Sequence, residues 1–157
     1  MATMAATAEG AQLEMLYRED GDRLWRALLA FAGDADVASD AVAEAFAQAL
    51  RRGGAIRDAQ AWVWRAGFRI AAGELKKRPS TSLIPEVSYL DPTPDQELLD
   101  AVAQLPAGQR AAVVLFYYLD VPVREVARRT GMSQLAVRAN LSRGRKRLKQ
   151  LLGDGND

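Results

Sequence analysis

The chain has neither cysteine nor histidine in its 157 residues. Without cysteine there is no disulfide framework and no thiolate metal site, and without histidine the commonest general base and zinc ligand are missing too. No residue set offers a nucleophile, a base and an orienting group at recognisable spacing, so the sequence does not read as an enzyme. Long apolar runs are also absent, and Met1 to Gly10 has neither a basic start nor an apolar h-region. The expectation is a cytoplasmic protein with no membrane partner, no small-molecule substrate, no cofactor and no metal. Asp36, Asp40 and Glu44 recur every four residues and invite a metal reading, but they lie on one helix and no second cluster of ligands completes a site. A solvated acidic face, aided by the helix N-terminus, accounts for them better.

What is present is the mix of a soluble globular protein, 49% apolar and 26% charged. The length suits one ordinary domain or two small helical ones. Net charge is only +1, yet the charges are unevenly placed. Between Val123 and Lys149, Arg124, Arg128, Arg129, Arg138, Arg143, Arg145, Lys146, Arg147 and Lys149 face Glu125 alone. Such a segment attracts a polyanion, although a charge run by itself is equally a solvated helix face.

Helical periodicity dominates. Residues 1–10 are expected to be disordered. Leu13, Leu16, Tyr17, Leu24, Leu28 and Phe31 then form one apolar stripe. Gly33-Asp34-Ala35-Asp36 breaks that helix and caps a second, whose Ala38, Ala41, Val42, Ala45, Phe46 and Ala49 make a narrow face suited to close packing. Gly53-Gly54 ends it, and Asp58 caps a third helix running through Trp62, Val63, Ala66, Ile70 and Leu75 to Lys76-Lys77-Arg78. Residues 11–78 therefore read as a three-helix bundle. Residues 79–93, rich in Pro, Ser and Thr, read as a linker that permits more than one arrangement of what it joins. Residues 94–152 read as a second helical domain. It opens on a capping box at Thr93-Pro94-Asp95-Gln96, followed by Leu98, Leu99, Val102 and Leu105. The apolar run Ala111 to Leu119 could by periodicity be a strand, but no partner strand or hairpin signal accompanies it, so helix is expected. The fold class is all-α, two small bundles joined by a linker.

The last two helices, about 123–130 and 134–152, have helix-turn-helix spacing. Ala127 allows a close crossing, Gly131 supplies a left-handed turn, and Val137 docks the second helix, which Ser133 can cap. Val137, Leu141, Gly144 and Leu148 fall on one side of that helix and Leu135, Arg138, Ala139, Ser142, Arg143 and Lys146 on the other. Arginine can pair with guanine edges in a major groove, while alanine and serine allow close approach. A plain αα-hairpin with a solvated basic face is the simpler alternative.

The stretch Leu105-Pro106-Ala107-Gly108-Gln109-Arg110, then Val126-Ala127, Thr130-Gly131-Met132-Ser133 and Val137-Arg138 through Leu141-Ser142-Arg143-Gly144-Arg145, resembles region 4 of the extracytoplasmic-function (ECF) RNA polymerase sigma factors of the sigma-70 family. The resemblance covers about fifty residues. It implies a four-helix domain that docks on the polymerase flap and reads the minus-35 promoter element. Arg138, Ala139, Ser142 and Arg143 fall on the family's DNA-contacting positions, and Arg124, Ser133, Leu135 and Lys146 flank them. Ala139 and Asn140 depart from the usual serine and arginine.

Asp34 to Leu50 is similar, less closely, to the region 2 helix that grips the polymerase clamp. The likeness assigns Asp40, Glu44 and Gln48 to polymerase binding, with Ser39 and Ala43 where Glu and Gln are usual. Ala61-Trp62-Val63-Trp64-Arg65 resembles the next family segment, which implies DNA contacts from Trp64, Arg65, Arg69 and Lys76, although Arg69 and Gly73 replace the usual Asn and Asp. Trp62 and Trp64 cannot both face one core: one sits at the bundle edge or is available to stack on an unpaired base. The partners implied are core RNA polymerase and promoter DNA, with an anti-sigma factor left open. Two further readings stay open beside the sigma factor: a sigma-derived DNA-binding regulator that does not open promoters, and a protein-interaction module that sequesters another transcription component.

Overall fold

The computed structural model describes residues 2–77 and 95–153, all helices and turns, with no strand among them. Helix α1 spans Ala2–Ala32, α2 Ala35–Arg52 and α3 Ala59–Lys77, with a short 3-10 turn at Gly53–Ala55. Helices α4 (Asp95–Ala103), α5 (Ala107–Val113), α6 (Val123–Thr130) and α7 (Gln134–Gly153) follow. A π-helical turn, Val114–Tyr118, extends α5. The apolar run from Ala111 is thus helical to Tyr118, with Leu119 at the bend that ends it.

Helix boundaries are set by the expected chemistry. The Asp34 carboxylate accepts from the Val37 N–H at 3.0 Å, Asp58 accepts from the Ala61 N–H at 3.1 Å, and the Ser133 hydroxyl accepts from the Ala136 N–H at 3.0 Å. Gly53 closes α2 with φ of 57°. The expectation of disorder over residues 1–10 is corrected, since the backbone is helical from Ala2. That stretch is rich in alanine, the strongest helix former, and it continues directly into the buried stripe of α1. The linker 79–93, Arg78 and the first two residues of the capping box lie outside the described residues.

In the first bundle Leu24, Leu28 and Phe31 of α1 meet the alanine face of α2 and Val63, Trp64 and Phe68 of α3, all buried. Gly67 of α3 lets the helices approach, for a Cβ there would lie 3.2 Å from Leu28 Cδ1. Phe31 and Phe68 meet edge to face at 5.2 Å. Tyr17 departs from the expected stripe: it is mostly exposed and touches Phe46 only by an edge. In the second bundle Val102, Leu105, Ala112, Leu115, Val126, Val137 and Leu141 are buried, whereas Leu98 and Leu99 stay largely exposed.

The two bundles pack on each other, α3 against α6, and α1 against α4 and the π-helical turn. The contact is polar at its rim. Arg110 donates to the Phe31 carbonyl at 3.1 Å and lies over the Phe31 ring, and Arg23 donates to the Leu119 carbonyl at 3.1 Å.

Candidate nucleic-acid interface

The helix-turn-helix is built from α6 and α7. Gly131 takes φ of 82° and its N–H donates to the Ala127 carbonyl at 2.9 Å, so the chain turns within three residues. Thr130 donates its hydroxyl to the Val126 carbonyl at 2.7 Å and accepts from the Met132 N–H, holding the turn from both sides. Val137, fully buried, and Leu141 anchor α7. Gly144 then allows α7 to touch α5, where a Cβ would lie 2.8 Å from Val113 Cγ2.

The opposite face of α7 is open. Leu135 is 77% exposed, Arg138, Ser142, Arg143 and Lys146 are exposed, and Ala139 is half-buried. Arg138, Arg143 and Lys146 form no ion pair among the described residues, and α7 carries no acidic side chain. Arg124 on α6 is exposed, and Ser133 caps α7 while remaining open to solvent. The arrangement presents a convex, basic helix with small residues between its cations, which suits a major groove.

The residues predicted on α3 lie in a different setting. Trp64 is 1% exposed, donating its indole N–H to the Asp20 carboxylate and covered by Arg129, whose guanidinium is 4.6 Å from the ring centroid. Its assignment as a DNA-stacking residue is therefore corrected for this arrangement of the bundles. Its place on α3 turns it toward α1, and Trp62 takes the bundle edge beneath Arg52. Arg65 donates Nε to the Arg128 carbonyl at 2.9 Å, and Arg69 donates to Gln48 at 3.3 Å. Lys76 is exposed near the end of α3.

Two consecutive arginines of α6 hold these bundles together, and sequence reasoning read both only as part of a charge run. Arg128 pairs with Asp58, donates to Gln60 and pairs with Glu125 at 3.0 Å. The hydrogen bond from Arg128 holds the Glu125 carboxyl below its ordinary range. At Asp58 burial opposes the charge, but the Ala61 N–H and Arg128 together outweigh it and hold that carboxyl low as well. Arg129 is 8% exposed, its Nε lies 3.7 Å from the Glu125 carboxylate, and neither Nε nor Nη1 has a hydrogen-bond partner among the described residues. Burial depresses its pKa despite the nearby charge of Asp20.

Of the residues expected to meet polymerase, Asp40 is exposed and Glu44 and Gln48 are half-buried along α2. Glu44 accepts from Gln48 and from Arg51, each at 3.0 Å, which holds its carboxyl below the ordinary value. Among the described residues no helix is long and apolar enough to cross a membrane.

Several known proteins are similar to this chain. The family model described as Sigma-70, region 4 matches residues 95–148, the span of α4 to most of α7. The ECF RNA polymerase sigma factor SigL of Mycobacterium tuberculosis is 29% identical over 157 aligned residues, covering 87% of this chain and 86% of that protein. The ECF RNA polymerase sigma factor BldN of Streptomyces coelicolor is 28% identical over 168, covering 96% of this chain and 64% of that one. Among solved structures, CnrH in complex with the cytosolic domain of CnrY superposes with a TM-score of 0.73 at 23% identity, covering 99% of this chain and 96% of that one. RpoE of Bartonella quintana, in complex with the anti-sigma factor NepR, superposes with a TM-score of 0.69 at 19% identity, covering 90% and 97%. The structural likenesses bear on the fold, and the sequence likenesses give a sigma-70 region 4 match over residues 95–148 in a chain similar along most of its length to ECF RNA polymerase sigma factors.

Proposed function

We propose that this chain joins core RNA polymerase, directs it to promoter DNA and supports initiation, making and breaking no bond itself. The observation that carries the reading is the outward face of α7, where Arg138, Ser142, Arg143 and Lys146 stand open while Val137 and Leu141 fix the helix from behind. Cations there capture the duplex by its phosphates, and side chains at the N-terminal end of α7 read base edges. Arg124, Ser133, Leu135 and Ala139 belong to the same proposed surface. On the other bundle, Asp40, Glu44 and Gln48 are proposed to meet polymerase, and Arg65, Arg69 and Lys76 to follow the opened strand. The site of action is the cytoplasm, where polymerase and promoter meet.

The solved relatives CnrH and RpoE are each held by a second protein, in the latter case an anti-sigma factor. A partner of that class is part of the proposal.

The test is co-purification with core RNA polymerase, followed by permanganate footprinting of melted thymines on promoter fragments selected by the holoenzyme. Binding with melting is expected. Failure to compete for core polymerase overturns the reading, and binding without melting turns it into that of a DNA-binding regulator.

A further inference from the structure

Leu13 of α1 is buried and Leu16 packs against the core, and one turn before Leu13 the same face of the helix carries Glu9. Its carboxylate lies against the end of α2: a Cβ on Gly53 would lie 3.0 Å from Oε2, and one on Gly54 would lie 2.6 Å from Oε1. The last carbonyls of a helix carry the negative end of its dipole, so a carboxylate here sets like charge beside like. Two arginines of the same turn are committed elsewhere, Arg51 to Glu44 at 3.0 Å and Arg52 over the Trp62 ring. Glu9 makes no hydrogen bond or ion pair among the described residues.

Around this carboxylate a groove of about 240 Å³ is walled by Leu13, Ala49, Leu50, Ile56 and Ala59. Small-molecule sites begin near about 300 Å³, and a groove below that size suits one long side chain. Its walls are apolar and its end is negative, which matches a methylene stem that carries a cation. Both oxygens of Glu9 lack a donor, an arrangement that a planar guanidinium fork fits. Leu50 at the rim is 58% exposed, so an apolar neighbour of that cation would find a partner as well. Gly53 and Gly54 keep the seat open, since a side chain on Gly54 would take the place of the carboxylate.

We propose that this groove seats an arginine side chain from a helical segment of a second protein, with the guanidinium on Glu9 and an apolar residue one turn away on Leu50. The inference is independent of the reading of α7 as a duplex-binding helix. It uses neither Asp40, Glu44 nor Gln48.

The experiment follows the Gly53 and Gly54 amide signals of the full chain by NMR. The probe is an alanine-rich helical peptide carrying one arginine and one leucine four residues apart, a spacing that puts both on one face. Both signals are expected to shift saturably. Glu9→Gln is expected to weaken binding at least about tenfold, as loss of a charge-assisted pair requires, and Leu50→Ser about threefold to tenfold. Gly54→Ala is expected to act like Glu9→Gln without unfolding the chain, because what it displaces is the end of a flexible side chain. Replacing the peptide's arginine by glutamine is expected to matter for the unaltered chain and to cost little further in Glu9→Gln, a coupling that misfolding cannot imitate. n-Butylguanidinium alone is expected to bind at least about tenfold more weakly than the peptide. Equal binding of that small cation would assign the seat to a free guanidinium compound and overturn the proposal. Unchanged binding in Glu9→Gln, equal binding of the arginine-free peptide, or no shift at Gly53 and Gly54 would overturn it as well.

Discussion

Arg129 of the helix-turn-helix lies over the face of Trp64 in the first bundle, 4.6 Å from the ring centroid, while the indole N–H on the ring's edge donates to Asp20. One side chain thus joins a cation from one bundle to a carboxylate of the other. Trp64→Phe keeps most of the core volume but leaves Asp20, 8% exposed, with Gln60 as its remaining side-chain donor. A loss of about 1–3 kcal/mol is expected in urea unfolding, the usual cost of leaving a buried acceptor short of a donor. Trp62→Phe, at the half-buried edge, is expected to cost less. Equal losses from the two variants would show that Trp64 is not the buried link.

Arg128 is the second arm of the same contact, and its removal should open the molecule. Arg128→Ala takes one partner each from Asp58, Gln60 and Glu125 at once. In a Trp25→Phe, Trp62→Phe background only Trp64 emits. Acrylamide is expected to quench it weakly in the closed chain and strongly after Arg128→Ala. Small-angle scattering should agree, with a radius of gyration near the roughly 15 Å of a compact chain of this length, rising in the variant. Free quenching in the unaltered chain would show that the bundles do not close in solution.

The same contact predicts a pH response with a definite sign. Glu125, held by its hydrogen bond from Arg128, and Asp58, held by the Ala61 N–H and Arg128 against the effect of burial, both ionise more readily when folded. The Glu125 pair lies within α6 and persists whether or not the bundles meet, whereas Asp58, across the contact, stabilises the closed state fully above its ordinary value of 3.8, and that stabilisation is lost as pH falls through its lower folded value. Trp64 quenching should rise as pH drops below about 3.8. Asp58→Asn should flatten that rise, and a profile that persists in the variant would place the titrating group elsewhere.

Local features of the second bundle were readable from residue types because each depends on neighbours in sequence. Gly131 needs a left-handed angle, Ser133 faces an N–H three residues on, and Val137 and Leu141 share a face by helical period. The contacts between bundles were not readable. Arg23, Arg110, Arg128 and Arg129 look in the sequence like any exposed arginine, and which surface they meet depends on the path of a connection that sequence period does not describe. Trp64 was misjudged for the same reason. Its neighbour Trp62 competes for one core, and only the position of Asp20, 44 residues away, decides which ring turns inward.

Close packing at Gly144 offers a test of the helix-turn-helix core. A Cβ at this position would lie 2.8 Å from Val113 Cγ2, closer than packed carbons approach. Gly144→Ala should cost about 1–3 kcal/mol through displacement of α7 from α5. Val113→Ala removes the opposing methyl groups and should recover part of the loss in the double variant, a coupling that a double-mutant cycle measures. Strict additivity would mean that the two helices do not meet there.

Base reading by α7 makes the most specific prediction. Arg138 is exposed on the first half of the helix, one turn from the cap at Ser133, where a recognition helix meets base edges. Arg145 lies on the same helix but donates to the Tyr117 hydroxyl at 2.8 Å, which turns it toward α5. Selection of bound sequences from a random duplex pool by the holoenzyme should give a defined element. Arg138→Ala should lose the preference at one or two adjacent positions of that element and weaken binding to it by about tenfold to a hundredfold, the worth of a bidentate contact. Arg145→Ala should keep the preference at every position. If Arg138→Ala selects the same element with the same strength, α7 holds the duplex by its backbone, and the choice of promoter comes from the other bundle.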